Sequence, residues 1–146
     1  MKILIDGDSC RVISITEQVA SENNIDCHIY CNNVSNVKSR YSKVHVVDCS
    51  KDAADFAITN ACDENDIVVT NDSGLAAMIL AKKGKIINAN GIEYTDSNIL
   101  QCLNRRYINK TIRQQTQKQQ VKGRLYDFEP SKNYRHSLTR LIESTT

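Results

Sequence analysis

The stretch Asp66-Ile67-Val68-Val69-Thr70-Asn71-Asp72-Ser73-Gly74-Leu75-Ala76 reads as a strand, a turn and the start of a helix in direct succession. Ile67, Val68 and Val69 form a short continuous apolar run, the pattern of a strand covered on both faces. Thr70-Asn71-Asp72 ends it. Leu75, Ala76, Ile79 and Leu80 then recur at helical spacing as far as Gly84, a residue suited to a helix C-cap. A doubly covered strand that feeds a helix at once belongs to a parallel sheet with helices on both faces.

The same unit recurs on either side. Ile3, Leu4 and Ile5 stop at Asp6; Val12, Ile15, Thr16, Val19 and Ala20 have helical spacing and end at Asn23-Asn24; Ile25 to Tyr30 reads as a second strand closed by Asn32-Asn33. Val44 to Val47 is a third strand, followed by a helix over about Asp52 to Cys62 with Ala54, Ile58, Ala61 and Cys62 on one face. Downstream, Lys85 to Asn88 gives a weaker fifth strand. The alternation ends after Gly91, where Thr95 or Ser97 would cap a helix bearing Ile99, Leu100, Leu103 and Tyr107. RQQTQKQQVKGR at 113–124, with five Gln and no large aliphatic except Val121, has no apolar face to bury, and about 111–130 reads as a mobile Gln/Lys/Arg-rich loop. Tyr134, Leu138, Leu141 and Ile142 mark a C-terminal helix over 131–144. The expected architecture is one α/β domain over 1–146, with three layers, α/β/α, around a mainly parallel, roughly five-stranded sheet of Rossmann-like topology.

Composition agrees with a globular domain. The chain has 146 residues, 40% apolar and 25% charged, with five Gly and one Pro, which excludes collagen-like, coiled-coil and disordered classes. Its net charge of +2 conceals an asymmetry. Residues 1–96 hold nine Lys+Arg against fourteen Asp+Glu, whereas residues 97–146 hold ten against three. Such two-endedness is a hint of an anionic partner held by the basic end. An acid follows the first three apolar residues, too soon for a signal-peptide core, and no apolar run approaches the ~18 residues of a membrane span, so a cytoplasmic protein without membrane contact is expected. The six cysteines show no C-x-x-C or zinc-ligand spacing and read as small buried hydrophobes, Cys27 and Cys31 sharing one strand face. His28, His45 and His136 read as lone structural residues.

The positions of the acids carry more information. Ligands of open parallel sheets bind beyond the carboxyl ends of the strands. Asp6 and Asp8 follow the first strand, Asp48 the third, Asp52 and Asp55 open the next helix, and Asp72 follows the fourth strand, so all six fall on that edge. Carboxylates gathered in this way repel one another unless a divalent cation joins them, and Mg²⁺ or Mn²⁺ with oxygen ligands can activate a water for attack on phosphorus. Helix capping and dipole effects account equally well for Asp8, Asp52 and Asp72 taken singly. They do not account for Asp6, at the end of a buried strand, or for Asp55 in addition to Asp52. Asp48 is left outside the ligand set. Asp66 and Asp26 precede their strands and read as solvated.

Four segments resemble one family. Ile5-Asp6-Gly7-Asp8-Ser9-Cys10 is similar to a D-A-D-A-C opening, and Asp52-Ala53-Ala54-Asp55 to D-V-A-D. Asp66 to Ala76 is similar to D-L-V-I-T-A-D-I-P-L-A, and Asn88-Ala89-Asn90-Gly91 with Glu93-Tyr94-Thr95 to N-P-R-G-E-x-Y-T. In this order they resemble the YaiI/YqxD family of uncharacterised bacterial proteins, whose fold is regarded as PIN-domain-like. PIN nucleases hold one or two Mg²⁺ or Mn²⁺ on acids. By resemblance the metal ligands would be Asp6, Asp8, Asp52, Asp55 and Asp72, with Asp6, Asp55 and Asp72 catalytic and Asn88 or Asn90 a further candidate. Arg11 stands where the family usually has Pro, and would reach a phosphate; Ser73-Gly74 replaces I-P.

The resulting expectation is a metal-dependent nuclease acting on RNA, with Arg11, Arg105, Arg106, Lys110, Arg113, Lys118, Lys122 and Arg124 along the phosphate backbone. A solvated basic surface is the plainer account of the same cations. PIN-like domains also often form homodimers. Two alternatives stand beside this expectation. One is a haloacid-dehalogenase-like phosphatase, since Asp6-Gly7-Asp8-Ser9 resembles D-x-D-x-[TV], with Asp6 as nucleophile. The other is a non-catalytic RNA- or nucleotide-binding module on the same scaffold.

Overall fold

Ile3 and Ile5 face one side of β1 (Lys2–Asp6) and Leu4 the other, and helices cover both sides. The structure, a computed structural model, describes residues 1–7, 12–32, 39, 41–47, 52–104 and 130–145. The chain continues through α1 (Ile13–Glu22), β2 (Asp26–Cys31), β3 (Lys43–Val46), α2 (Ala53–Ala61) and β4 (Ile67–Val69). There follow α3 (Ser73–Ala81), β5 (Lys85–Ile87), β6 (Glu93–Tyr94), α4 over 99–104, and α5 (Pro130–Thr145). The sheet order is β3-β2-β1-β4-β5-β6, parallel throughout except for the antiparallel β5–β6 pair. The order reverses between β1 and β4, which makes that seam the crossover of the sheet.

Period-two alternation divides the core into two layers. Ile3, Ile5, Cys27, Ile29, Ile67, Val69 and Ile87 pack with Val19 and Ala20 of α1 and with Tyr134, Leu138, Leu141 and Ile142 of α5. Leu4, Tyr30, Val68 and Ile86 pack with Ile58 of α2 and with Leu75, Ala76 and Ile79 of α3, and Ile99 and Cys102 of α4 lean on them. The three-layer expectation holds, and so does the buried stripe on the terminal helix. The sheet has six strands where five were expected, because β6 has only two residues and shows no period. The helix expected after Thr95 or Ser97 is present as α4: the Thr95 carbonyl accepts the Ile99 N–H at 2.9 Å, and regular helix runs from 99. Tyr107, residues 111–129 of the expected loop, Asp8, Arg11, Asp48 and the cations from Arg105 to Arg124 lie outside the described residues, and Pro130, expected to end the loop, opens α5.

The end of α3 corrects the role expected of Gly84. Lys83, at φ 64°, takes the left-handed position. Its N–H reaches the Leu80 carbonyl at 3.0 Å and the Gly84 N–H reaches Ile79 at 3.1 Å, the bonding of a Schellman motif. Gly84 is required for space. A Cβ there would stand 2.6 Å from Ile79 Cγ2 and 3.0 Å from Cys62 Sγ.

Asp66 is not solvated as expected; it is buried at the amino end of the seam. Its carboxylate receives the Lys2 ammonium at 2.6 Å, the Lys2 N–H at 3.0 Å and the Asp63 N–H at 2.9 Å. Asp26 is exposed, as expected. Burial pushes the Asp66 carboxyl up, but the bonds from Lys2 and Asp63 and the Lys2 charge outweigh it and hold the group below its ordinary value. For Lys2, desolvation acts downward and is outweighed by Asp66 and Asp63, so its ammonium is held above the ordinary value. The stabilisation from Asp66 is complete above an unfolded-state pKa of about 3.9 and is lost as pH falls through the lower folded value; that from Lys2 is complete below about 10.4 and is lost as pH rises through the higher folded value. Breaking a buried pair typically costs about 3–5 kcal/mol. Lys2 is 25% exposed and keeps Asp63 as a partner at 3.0 Å, so a smaller cost applies here. Asp66→Asn is expected to lower stability by about 2 kcal/mol at neutral pH. In urea titrations the gap from the parent protein should close as the pH is taken below about 4.

The histidines on β2 and β3 are a pair, contrary to the lone roles expected. His28 Nδ1 lies 3.0 Å from His45 Nε2, and the His45 ring stacks on Tyr30 at 4.5 Å between centroids. Burial, then the neighbouring His45 and Lys2, lower the His28 pKa. Cys27, Cys31, Cys62 and Cys102 are free thiols, and burial pushes Cys27 and Cys62 up to about 11, which keeps them protonated and unreactive. Among the described residues no helix is long and apolar enough to cross a membrane.

Candidate functional site

At the carboxyl end of the seam, β1 ends in Asp6 and β4 runs into Thr70. Asp6 is only 4% exposed, and its Oδ2 accepts the Thr70 hydroxyl at 2.9 Å. The same Thr70 oxygen accepts the Asp72 N–H at 3.0 Å. Asp6, Thr70 and the first residue of the α3 cap are thus one connected unit. Gly7 permits the strand exit, because a Cβ there would meet Ile29 Cγ2 at 3.0 Å and the Tyr30 carbonyl at 3.1 Å.

Asp72 caps α3, its Oδ1 accepting from Gly74 N–H at 2.8 Å and Leu75 N–H at 3.4 Å. The capping role that the sequence allowed for Asp72 is therefore real. Asp52 sits at the corresponding place before α2 but makes no side-chain cap; it takes a left-handed backbone (φ 69°), one that Asp tolerates better than most residues. Contrary to expectation, the helix dipole does account for Asp55, which lies in the first turn of α2 and is the acid favoured there.

These elements meet in a cleft of about 210 Å³ lined by Asp52, Asp55, Phe56, Asp72, Gly74 and Met78. The structure brings Asp52, Asp55 and Asp72 to one cavity between the starts of α2 and α3. Asp6 stands outside that lining and is joined to it through Thr70. Among the described residues no three His, Cys, Asp or Glu side chains gather tightly enough to hold a metal ion, so the cleft carboxylates share a cavity without closing on a point. Asp8, two residues beyond Asp6, is not among those residues. The donor chemistry of the cleft, carboxylate oxygens with no thiolate or imidazole, fits Mg²⁺ or Mn²⁺ and not a softer metal. A larger cleft of about 350 Å³, between the β5–β6 end and α5, contains Glu93 and Arg140 but none of these aspartates.

Sequence reasoning passed over three neighbours of this site. Thr70 and Asn71 belong to the same short motif as Asp72, and only the acid was singled out. Asn71 Oδ1 accepts the Ala89 N–H at 2.9 Å, fastening the turn after β4 to the loop after β5. In that loop Asn88 Oδ1 accepts the N–H groups of Asn90 and Ile92, each at 2.9 Å, so its visible work is to shape the turn. Phe56 follows Asp55 directly, and no periodicity marks it, because it lies on neither core layer.

Comparison with known families matches residues 4–144 to the uncharacterised bacterial YaiI/YqxD family. The chain belongs to the YaiI/YqxD family. A UPF0178 protein of Clostridium acetobutylicum is 38% identical over 143 residues, spanning 97% of both chains. One from Clostridium kluyveri is 43% identical over 113 residues, 77% of this chain and 74% of its own. One from Lachnoclostridium phytofermentans is 43% identical over 110 residues, 75% of this chain and 74% of its own. No solved structure matches the chain. The segments that resemble the YaiI/YqxD pattern fall on the β1 exit, the start of α2, the β4–α3 turn and the β5–β6 loop. Three of those four places adjoin the carboxylate cleft.

Proposed function

We propose that this protein is a divalent-metal-dependent phosphodiesterase acting on RNA. One observation carries the reading: the starts of two helices bring Asp52, Asp55 and Asp72 into a single cleft at the sheet crossover, with the buried Asp6 linked to it by Thr70. Asp55, Asp72 and Asp6 are the catalytic acids in this reading, and Asp52 and Asp8 complete the ligand set for Mg²⁺ or Mn²⁺. Held by these carboxylates, such an ion would supply an activated water and offset the charge that develops on phosphorus.

The chain's own groups have separate tasks. The Thr70 hydroxyl fixes the direction of the Asp6 carboxylate, and the cap bonds to Gly74 and Leu75 fix that of Asp72. The N-terminal ends of α2 and α3 favour an entering phosphate. Arg11, Arg105, Arg106, Lys110, Arg113, Lys118, Lys122 and Arg124 would track the RNA backbone, and a homodimer would set two such surfaces side by side. The substrate and this composition agree with a cytoplasmic protein.

The burial of Asp6 and its bond to Thr70 favour a holding role over in-line attack on phosphorus, which weakens the phosphatase alternative. The test is metal removal. The purified protein is expected to cleave single-stranded RNA in Mn²⁺, to stop in EDTA and to resume when Mn²⁺ is restored. Cleavage that persists unchanged in EDTA, or RNA left intact under every metal condition, would reject the reading.

A further inference from the structure

Phe56 is 59% exposed, although burying such a side chain is worth about 1.5–3 kcal/mol. It belongs to neither core layer; α2 uses Ile58 for that purpose, with Ala57 and Ala61 beside it. Phe56 instead lines the carboxylate cleft together with Met78 of α3 and with Asp52, Asp55 and Asp72. The cleft therefore joins a flat apolar surface and a polarizable thioether to a group of carboxylates suited to a phosphate-bound cation. A nucleotide presents the matching pair within one unit, a planar base and a phosphate. An apolar protein side chain would satisfy the ring and leave the carboxylates without a counterpart.

We infer that Phe56, with Met78 in the same cleft, is a stacking platform for one unpaired nucleobase next to the reacting phosphate. This rests on the phosphodiesterase reading for the identity of the neighbouring group. It adds a specificity residue and a substrate form. A base can lie on the ring only after leaving a duplex stack, so the substrate is single-stranded at that position. Stacking is tolerant of sequence because every base has a π-face, so this contact selects strandedness and not a particular base.

The chain contains no Trp, so Phe56→Trp creates a single fluorescent reporter at the platform. The reporter protein is titrated in Mg²⁺ with a short oligoadenylate and with an abasic ribose-phosphate oligomer of equal length. The oligoadenylate is expected to quench the emission to saturation, and the abasic strand to leave it unchanged. In parallel, Phe56→Ala is expected to weaken oligoadenylate binding by about 5- to 150-fold, the range of base–aromatic stacking, while abasic binding stays within about twofold. Quenching by both strands alike, by neither, or equal loss of both strands in Phe56→Ala would overturn the platform. The readout is binding, so it separates from the activity reading. Base-dependent quenching without cleavage in any metal would reject the hydrolysis and leave the platform standing, whereas metal-dependent cleavage without it would do the reverse.

Discussion

Replacing Asp72 by asparagine is expected to lower metal-dependent RNA cleavage by about a hundredfold or more while changing folding stability by less than about 0.5 kcal/mol. The two halves of that expectation come from the two jobs of one side chain. As a cap, Asp72 uses Oδ1 to accept the Gly74 and Leu75 N–H groups, and asparagine offers the same amide oxygen at the same place. Asparagine and aspartate cap helices about equally well, so α3 should keep its start. As a ligand, asparagine lacks the negative charge. Loss of one charged ligand from a hydrolytic cation is expected to remove several kcal/mol of transition-state stabilisation, and each 1.36 kcal/mol is a factor of about ten. The measurement is an initial rate on single-stranded RNA in Mn²⁺ paired with a urea titration. Unchanged rate with unchanged stability would make Asp72 a cap alone and would reject its assignment as a catalytic ligand.

The largest expected loss of stability is at the opposite layer. Tyr134→Ala should cost about 3–5 kcal/mol, read as a fall in the urea midpoint at constant slope. Tyr134 is fully buried among the residues that α1 and α5 press against the sheet, and its hydroxyl meets Thr16 Oγ1 at 2.6 Å. Truncation leaves a cavity that these close-packed neighbours fill only in part. Thr16 keeps its bond to the Val12 carbonyl at 2.7 Å, so the hydroxyl left behind adds little to the cost. Tyr134→Phe, which keeps the ring and removes the hydroxyl bonded to Thr16, should therefore cost about 1 kcal/mol. A domain of this size has roughly 5–15 kcal/mol in total, so the alanine variant should remain folded but be visibly weakened.

Much of the layer structure was legible because it obeys periodicity. Ile3-Leu4-Ile5 and Ile67-Val68-Val69 announce strands covered on both faces, and the stripe from Tyr134 to Ile142 announces the helix that closes the first layer. The acids at the strand ends were legible for the same reason, since topology puts those ends on one edge. What escaped was decided by contacts between distant segments. Asp66 looked solvated until its partner, Lys2, was placed across the seam, 64 residues away in sequence. Gly84 looked like a cap until the approach of Ile79 and Cys62 showed what its missing side chain is for. Thr70 looked like punctuation between a strand and an acid, and its hydroxyl proved to be the link from Asp6 to α3. Glu93 and Tyr94 are too few to show a period at all.

The β1–β4 seam has one further property. Lys2 and Asp66 pin its amino end, Asp6 and Thr70 pin its carboxyl end, and three paired residues lie between them. A joint fastened at both ends neither twists nor slides easily, and the least stable contacts of a fold are the ones that open first. The middle of the sheet is therefore braced against local opening at both ends. The start of α3, bonded through the Asp72 N–H to Thr70, is anchored to that braced joint.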